Sequence, residues 1–302
     1  MKRFSVFLLS TALMVNAAAA VTIGTTMSKK DAFVSILTDN IRDAASKTSG
    51  VTLDLVVANM DKETQINQVK TFIENDVDAI IVNAVADEHS ELMQKMAAEA
   101  NIPLVYVNRQ PPQSRFPGPV SVVSCNELVA GRLQMRMMAN EVGGKGNVVI
   151  LNGALSHPAA KARTVGAKEV LAQYPGLSIV HEQTANWSRD EAEKIITGLL
   201  DKGVKIDIIA ANNDEMAIGA VRAIEKAGLS FEDVMIGGVD ATPAAIAEME
   251  AGKIKVTVLQ NAAAQGLQSI KNAIAMAQGG YAQEFDWIPW EVVVPSNMEN
   301  YK

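Results

Sequence analysis

The chain of 302 residues holds one cysteine, Cys125, so an internal disulfide is excluded. A chain this long can do without one, since it buries roughly three quarters of its unfolded surface. Cys125 therefore reads as a small buried hydrophobe rather than a reactive thiol. Basic runs are missing too, and the formal net charge is -7, which leaves nucleic-acid binding without support. Beyond residue 20 no segment reaches the ~18 continuous apolar residues that a membrane helix requires, so the remaining chain reads as soluble. The three histidines, His89, His157 and His181, stand far apart without metal spacing. No metal ligand and no site role is assigned to them. The sequence contains no G-x-G-x-x-G, no G-x-x-x-x-G-K-[ST] and no G-x-S-x-G. The GGKG at 143–146 follows a helix and precedes a strand, the wrong side of a sheet for cradling phosphate. With no nucleophile, base or cofactor motif, the reading is no catalytic residue, no cofactor and no enzyme.

What is present begins with a leader. Lys2 and Arg3 precede an apolar run over 4–15, and small residues fill 17–20. That layout is a secretory signal peptide over 1–20, too short to span a bilayer, with export to the periplasm as the consequence. Removing the two charges of Lys2 and Arg3 leaves the mature chain at -9. The mature chain then alternates short apolar strands with helical periodicity. Strands are expected over 21–26, 51–58, 79–82, 103–107 and 120–124, with helices between them from 32, 62 and 88. A second round follows. Strands are expected over 147–151, 177–182, 206–210, 234–236, 255–259 and 290–294, with helices from 127, 159, 189, 215, 244 and 264. Asp61 is a fitting N-cap, as is Asn213 or Asp214. Two such rounds predict an α/β chain of two doubly wound, Rossmann-like lobes with parallel sheets.

In sheets of this kind ligands bind outside the carboxyl ends of the strands. Those ends carry Asn108 and Arg109, Asn213, Asp240 and Gln260, while Arg163 lies in the first turns of the helix from 159. Arg offers a rigid fork of donors, Asp two acceptors, and Asn or Gln both, which suits the vicinal hydroxyls of a polyol. Each residue alone is readily a cap or a loop residue; together they fall on one side of the sheets. Phe33 suits the core as well as a ligand site. Trp187, in the polar loop TANWSR, is the better ring-stacking residue.

The segments IPLVYVNRQ, AAKARTVGA, ANNDEMAIGAVRAIEKAG, IGGVDATP and VTVLQ carry a family resemblance. Over nearly the whole mature chain the sequence is similar to periplasmic sugar-binding proteins of the ribose- and galactose-binding type, type I periplasmic binding proteins. The resemblance implies two lobes joined by three hinge crossovers, placed near Cys125, Gln260 and Ile288. The lobes would comprise 21–125 with 261–287, and 126–260 with 288–302. It also implies roles. Phe33 matches the aromatic after the first strand, Arg109 and Arg163 the two arginines, and Trp187 an aromatic closing over the ring. Asn213, Asp240 and Gln260 match polar ligands.

Three positions depart from the ribose-binding pattern. Lys30 stands for an asparagine, Ala32 for a second stacking ring, and Asn108 for an aspartate. These changes disfavour ribose, and the closing segment IPWEVVVPSNMENY resembles inositol-binding members. A cyclitol such as myo-inositol is the first expectation, with an aldose or a sugar acid as the alternative. The sugar acid would draw on Lys30, Arg109 and Arg163, which outweigh Asp240 if Asp31 points away. The resemblance further implies an ABC permease as partner, a chemoreceptor for some members, and a monomer. A transcription regulator sharing the two-lobe core would need an N-terminal headpiece where the leader stands.

Overall fold

The computed structural model describes residues 20–302, and the leader over 1–19 lies outside the described residues. The first half runs β1 (Val21–Met27), α1 (Ala32–Ser46), β2 (Val51–Val57), α2 (Lys62–Glu74), β3 (Ala79–Val82), α3 (Ser90–Glu99), β4 (Leu104–Val107) and β5 (Val120–Ser124). The second runs α4 (Glu127–Glu141), β6 (Lys145–Asn152), α5 (Pro158–Leu171), β7 (Gly176–Thr184), α6 (Arg189–Asp201), β8 (Ile208–Ala211), α7 (Asp214–Lys226), β9 (Met235–Gly237), α8 (Pro243–Glu250) and β10 (Thr257–Gln260). The chain ends with α9 (Ala262–Ala277), β11 (Phe285–Trp287) and β12 (Trp290–Val293).

The first sheet has the order β11-β5-β4-β3-β1-β2, all parallel. Its central strands are buried on both faces, as the unbroken AIIV and LVYV runs require. One face meets α1 and α9 through Ile23, Leu37, Ile41 and Ile270; the other meets α2 and α3 through Phe72, Ile80, Met93 and Leu104. The second sheet has the parallel order β7-β6-β8-β9. Single bridges from Gly237 to Val256 and from Asp240 to Leu259 attach β10, which pairs antiparallel with β12. Helices α4 and α5 cover one face, and α6, α7 and α8 the other.

The strand Phe285–Trp287 was not expected. It is three residues long and half exposed, so no apolar run announces it, and its place comes from pairing with β5 at the sheet edge. Asp61 and Asn213 cap their helices as the sequence suggested, accepting from the backbone N–H of Thr64 and Met216. The chain passes between the two sheets at 125–126, at 261 and at 288–289. No described helix is long and apolar enough to cross a membrane.

Two glycines set how closely α4 and α5 cross. A Cβ on Gly131 would lie 1.9 Å from the carbonyl oxygen of Arg163, and one on Gly166 would lie 2.2 Å from that of Leu128. Backbone-to-backbone packing of this kind fixes α5, and with it Arg163, relative to Glu127 at the start of α4.

Candidate functional site

The carboxyl ends of the two sheets face each other across a cleft with about 750 Å³ of empty space, counted out to its open mouth. The loop after β1, the ends of β3 and β4, the start of α5, the 187 loop and the ends of β8 to β10 all contribute to its wall.

Arg163 is the centre of the second half's wall. It is buried, and every nitrogen is engaged. Nε donates to Glu127 Oε2 at 2.6 Å, Nη1 to the Asn212 carbonyl at 2.7 Å, and Nη2 to Gln260 Oε1 at 3.3 Å. Its guanidinium also lies over two indole rings, 5.9 Å from the centroid of Trp187 and 5.3 Å from that of Trp290. Burial pulls its pKa down, but Glu127 and Asp240 outweigh burial and the net shift is upward.

Asp240 stands beside it. Its Oδ1 is 3.6 Å from Arg163 Nη1, an ion-pair distance too long for a hydrogen bond. That buried oxygen has no hydrogen-bond donor among the described residues. Burial pushes the Asp240 carboxyl well above the usual carboxylate range. Arg163 opposes that push, while Asp214 and Glu127 add to it. Behind it Asp214 is buried outright. It accepts from Thr257 Oγ1 at 2.6 Å and from the Thr242 N–H at 2.7 Å, yet burial still pushes it up to about 7.

Trp187 packs where the backbone leaves room for it. A Cβ on Gly153 would meet its ring at 2.1 Å. His157 meets the ring edge-on, with centroids 5.7 Å apart at 80°. The His157 Nδ1 accepts from the Ala159 N–H, capping α5, which leaves Nε2 as the protonated nitrogen of the neutral ring. Burial, then Arg109 and Arg163, holds its pKa well below the usual histidine value.

The first half is built differently. Arg109 Nη1 donates to the Val85 carbonyl at 2.7 Å and Nε to Asp87 Oδ1 at 2.8 Å. Its Nη2 reaches across the cleft to the carbonyl of Ser156, at 2.9 Å. Asn83, at the end of β3, links Ser28, the Val107 carbonyl and the Asn108 side chain. Lys29 pairs with Asp31, which also caps α1 by accepting from the Val34 N–H at 2.8 Å.

Of the residues singled out from the sequence, Phe33, Asn108, Arg109, Arg163, Trp187, Asn213, Asp240 and Gln260 all line the cleft. Phe33 does so while packing on the first core, and Asn213 while capping α7. Lys30 is a correction. It is exposed and absent from the wall, because capping by Asp31 turns Lys29 and Asp31 inward and leaves Lys30 outward. His157 is a second correction, since a residue assigned no role forms part of the wall. Glu127, Asn83 and Asp31 were also missed. Nothing in their local sequence distinguishes them from ordinary helix-end and strand-end residues.

Backbone strain occurs in the wall as well as at Asn59, Asp76, Asn101, Asn186 and Ala241, which do not line it. Asn108 (φ 66°), Trp187 (φ 65°) and Asp240 (φ 123°) all sit at positive φ without being glycine. Such conformations cost of order 1–3 kcal/mol each and gather at functional sites. Among the described residues no three His, Cys, Asp or Glu side chains gather as metal ligands.

A protein of Rhizobium meliloti assigned to rhizopine binding is 40% identical over 306 residues, covering 100% of this chain and 99% of its own. A xylitol-binding protein of Mycolicibacterium smegmatis is 34% identical, over 78% of this chain and 67% of its own. The crystal structure of an ABC transporter solute-binding protein from Bacillus halodurans, with bound myo-inositol, superposes with a TM-score of 0.88. It is 35% identical and covers 95% of this chain and 98% of that one. The family model of the periplasmic binding protein domain matches residues 23–281, and the chain belongs to that family.

Proposed function

We propose that the chain is the periplasmic solute-binding component of an ABC transporter and that its ligand is a cyclitol, myo-inositol first. The observation that carries this reading is the Asp240 carboxylate. Asp240 lines the cleft, and its buried Oδ1 has no donor among the described residues, beside an arginine held by three hydrogen bonds. A buried acceptor left unpaired costs about 1–3 kcal/mol, and a ligand hydroxyl offsets that cost on binding. Trp187 supplies the apolar face for the C–H side of the ring. The choice of cyclitol over aldose rests on the similarity to the myo-inositol-bound protein.

The sugar-acid alternative loses its basis. Lys30 is outside the wall, and the cations that face the cleft are already matched: Lys29 by Asp31, Arg109 by Asp87 and Arg163 by Glu127. Among the described residues of the wall no cation is left over to receive a ligand carboxylate. The chain acts by binding, not by catalysis.

The lobes in this reading are 21–125 with 261–287, and 126–260 with 288–302. Ligand bridging both of them shifts the equilibrium toward the closed state only by its differential affinity for that state. The closed monomer then docks on the permease in the inner membrane, after export through the leader.

A thermal-shift screen of the mature chain against sugars, sugar acids and cyclitols tests this. A ligand at a hundred times its Kd stabilises by about 2.7 kcal/mol, so myo-inositol is expected to raise the Tm well above the value with ribose or glucuronate. A shift with an aldose alone overturns the cyclitol; no shift with any of them overturns the binding reading.

A further inference from the structure

A second chamber opens behind the cleft, on the side where the chain crosses between the sheets. It holds about 570 Å³ of empty space open to solvent. Its inner wall is shared with the main cleft: Asn108, Glu127, His157 and Ala159 line both. The two spaces adjoin along these residues.

The outer wall has the makings of a ring platform. Trp287 is 47% exposed, an unusual state for an indole. It is nevertheless held in place, stacked on Phe285 with centroids 5.7 Å apart and planes 14° apart, and Phe285 in turn packs on Phe116 at 5.8 Å. Trp287 also pairs with Ser124 through the backbone. An aromatic face so fixed loses little entropy when a ring settles on it. Beside it stand Gln110 and Asn126, amides that offer donors and acceptors together. The opposite wall is the first turn of α5, with the neutral His157.

Trp287 belongs to the first sheet and α5 to the second. The chamber is therefore bounded by both halves of the molecule, and a group held there contacts both. Such contacts add to whatever drives closure.

We infer that this chamber is an annex to the ligand site, and that it receives a second hydroxylated ring carried as a glycosidic substituent on the ring held in the main cleft. The inference rests on the binding reading above and extends it from single rings to their glycosides. Asn108, Glu127 and His157 then lie at the junction of the two bound rings. Trp287 stacks on the outer ring only.

The test is calorimetric titration of the mature chain with myo-inositol and with a set of mono-galactosylated myo-inositols, one for each position of substitution. At least one galactoside is expected to bind within about tenfold of myo-inositol. Replacing the platform, Trp287→Ala, should weaken that galactoside about tenfold while leaving myo-inositol within about twofold. Gln110→Ala gives a second reading at a residue away from the indole stack, with a smaller loss in the same direction. If the chain binds myo-inositol but every galactoside is weaker by about a hundredfold or more, the annex is overturned and the binding reading stands. The annex is likewise overturned, with the binding reading intact, if Trp287→Ala and Gln110→Ala weaken galactoside and parent ring alike. If neither myo-inositol nor any galactoside binds, the ligand reading itself has failed, and the annex with it.

Discussion

The two halves of the cleft each present a buried arginine, and the two are held in opposite ways. Arg163 is locked within its own surroundings by Glu127, Asn212 and Gln260, between two indole rings. Arg109 is anchored by Val85 and Asp87 but commits its remaining nitrogen to Ser156, across the cleft. In the proposed reading Arg163, whose partners all lie on its own side, forms a rigid wall against which a ligand is measured. A side chain that reaches from one half to the other acts as a latch, and its contact exists only when the halves are close. In the proposed reading the two arginines, one just after β4 and one in α5, thus divide recognition from closure.

Breaking the wall should cost the most. Asp240→Asn removes the carboxyl group assigned to the ligand in this reading and weakens its ion pairing with Arg163. Truncating one partner of a buried charge pair costs about 2–5 kcal/mol, so myo-inositol affinity should fall at least about thirtyfold by calorimetry. Gly131→Ala attacks the wall's foundation. The added methyl meets the Arg163 carbonyl, α4 and α5 must separate, and overpacking of this kind costs about 1–3 kcal/mol. A chemical-denaturation midpoint should fall accordingly, while the same change at Gly198, where a Cβ meets nothing, should do far less.

Breaking the latch should cost less. Asp87→Ala frees Arg109 from its anchor, one charge-assisted hydrogen bond worth about 1.5–3 kcal/mol at most, partly exposed and so toward the lower figure. The expected signature is a wider average separation of the halves in small-angle scattering without ligand, with closure restored at saturating myo-inositol. A latch variant as damaging as Asp240→Asn would erase the distinction between the two arginines.

A further effect, on stability rather than on either arginine, is on pH. Asp214 has its folded pKa pushed up to about 7, above the ordinary aspartate value near 4. The folded state therefore holds a proton that the unfolded state releases. Its stabilising contribution is complete below about pH 4 and is lost as pH rises through about 7. The Tm should fall by a few degrees between pH 5 and pH 8, and Asp214→Asn should flatten that slope.

How far the sequence anticipated this division differs from residue to residue. The strands AIIV, LVYV and VSVVS were legible because burial on both faces leaves an unbroken or nearly unbroken apolar run. Arg163 and Asp240 were legible because strand-end and helix-start positions confine where they can point. Lys30 was not, since Ser28, Lys29, Lys30 and Asp31 are all polar and only the Asp31 cap decides which of them turn inward. His157 looked like an isolated polar residue, because its partners Trp187 and Arg109 are distant in sequence. Trp290 was expected in a strand and given no role there. That it carries Arg163 on its ring and donates to the Asn126 carbonyl depends on segments far apart in the chain meeting at the crossovers. Positive φ at Asn108, Trp187 and Asp240 leaves no trace in residue type beyond the asparagine.

The central claim, that Asp240 receives a ligand hydroxyl against a fixed Arg163, is tested most directly by a crystal structure of the mature chain with myo-inositol. The ring is expected between Trp187 and the first half's wall, with a ring hydroxyl within roughly 3 Å of Asp240 Oδ1 and Arg163 where it now stands. A ring bound elsewhere, or one in the cleft that leaves Asp240 Oδ1 without a donor, would show the claim to be wrong.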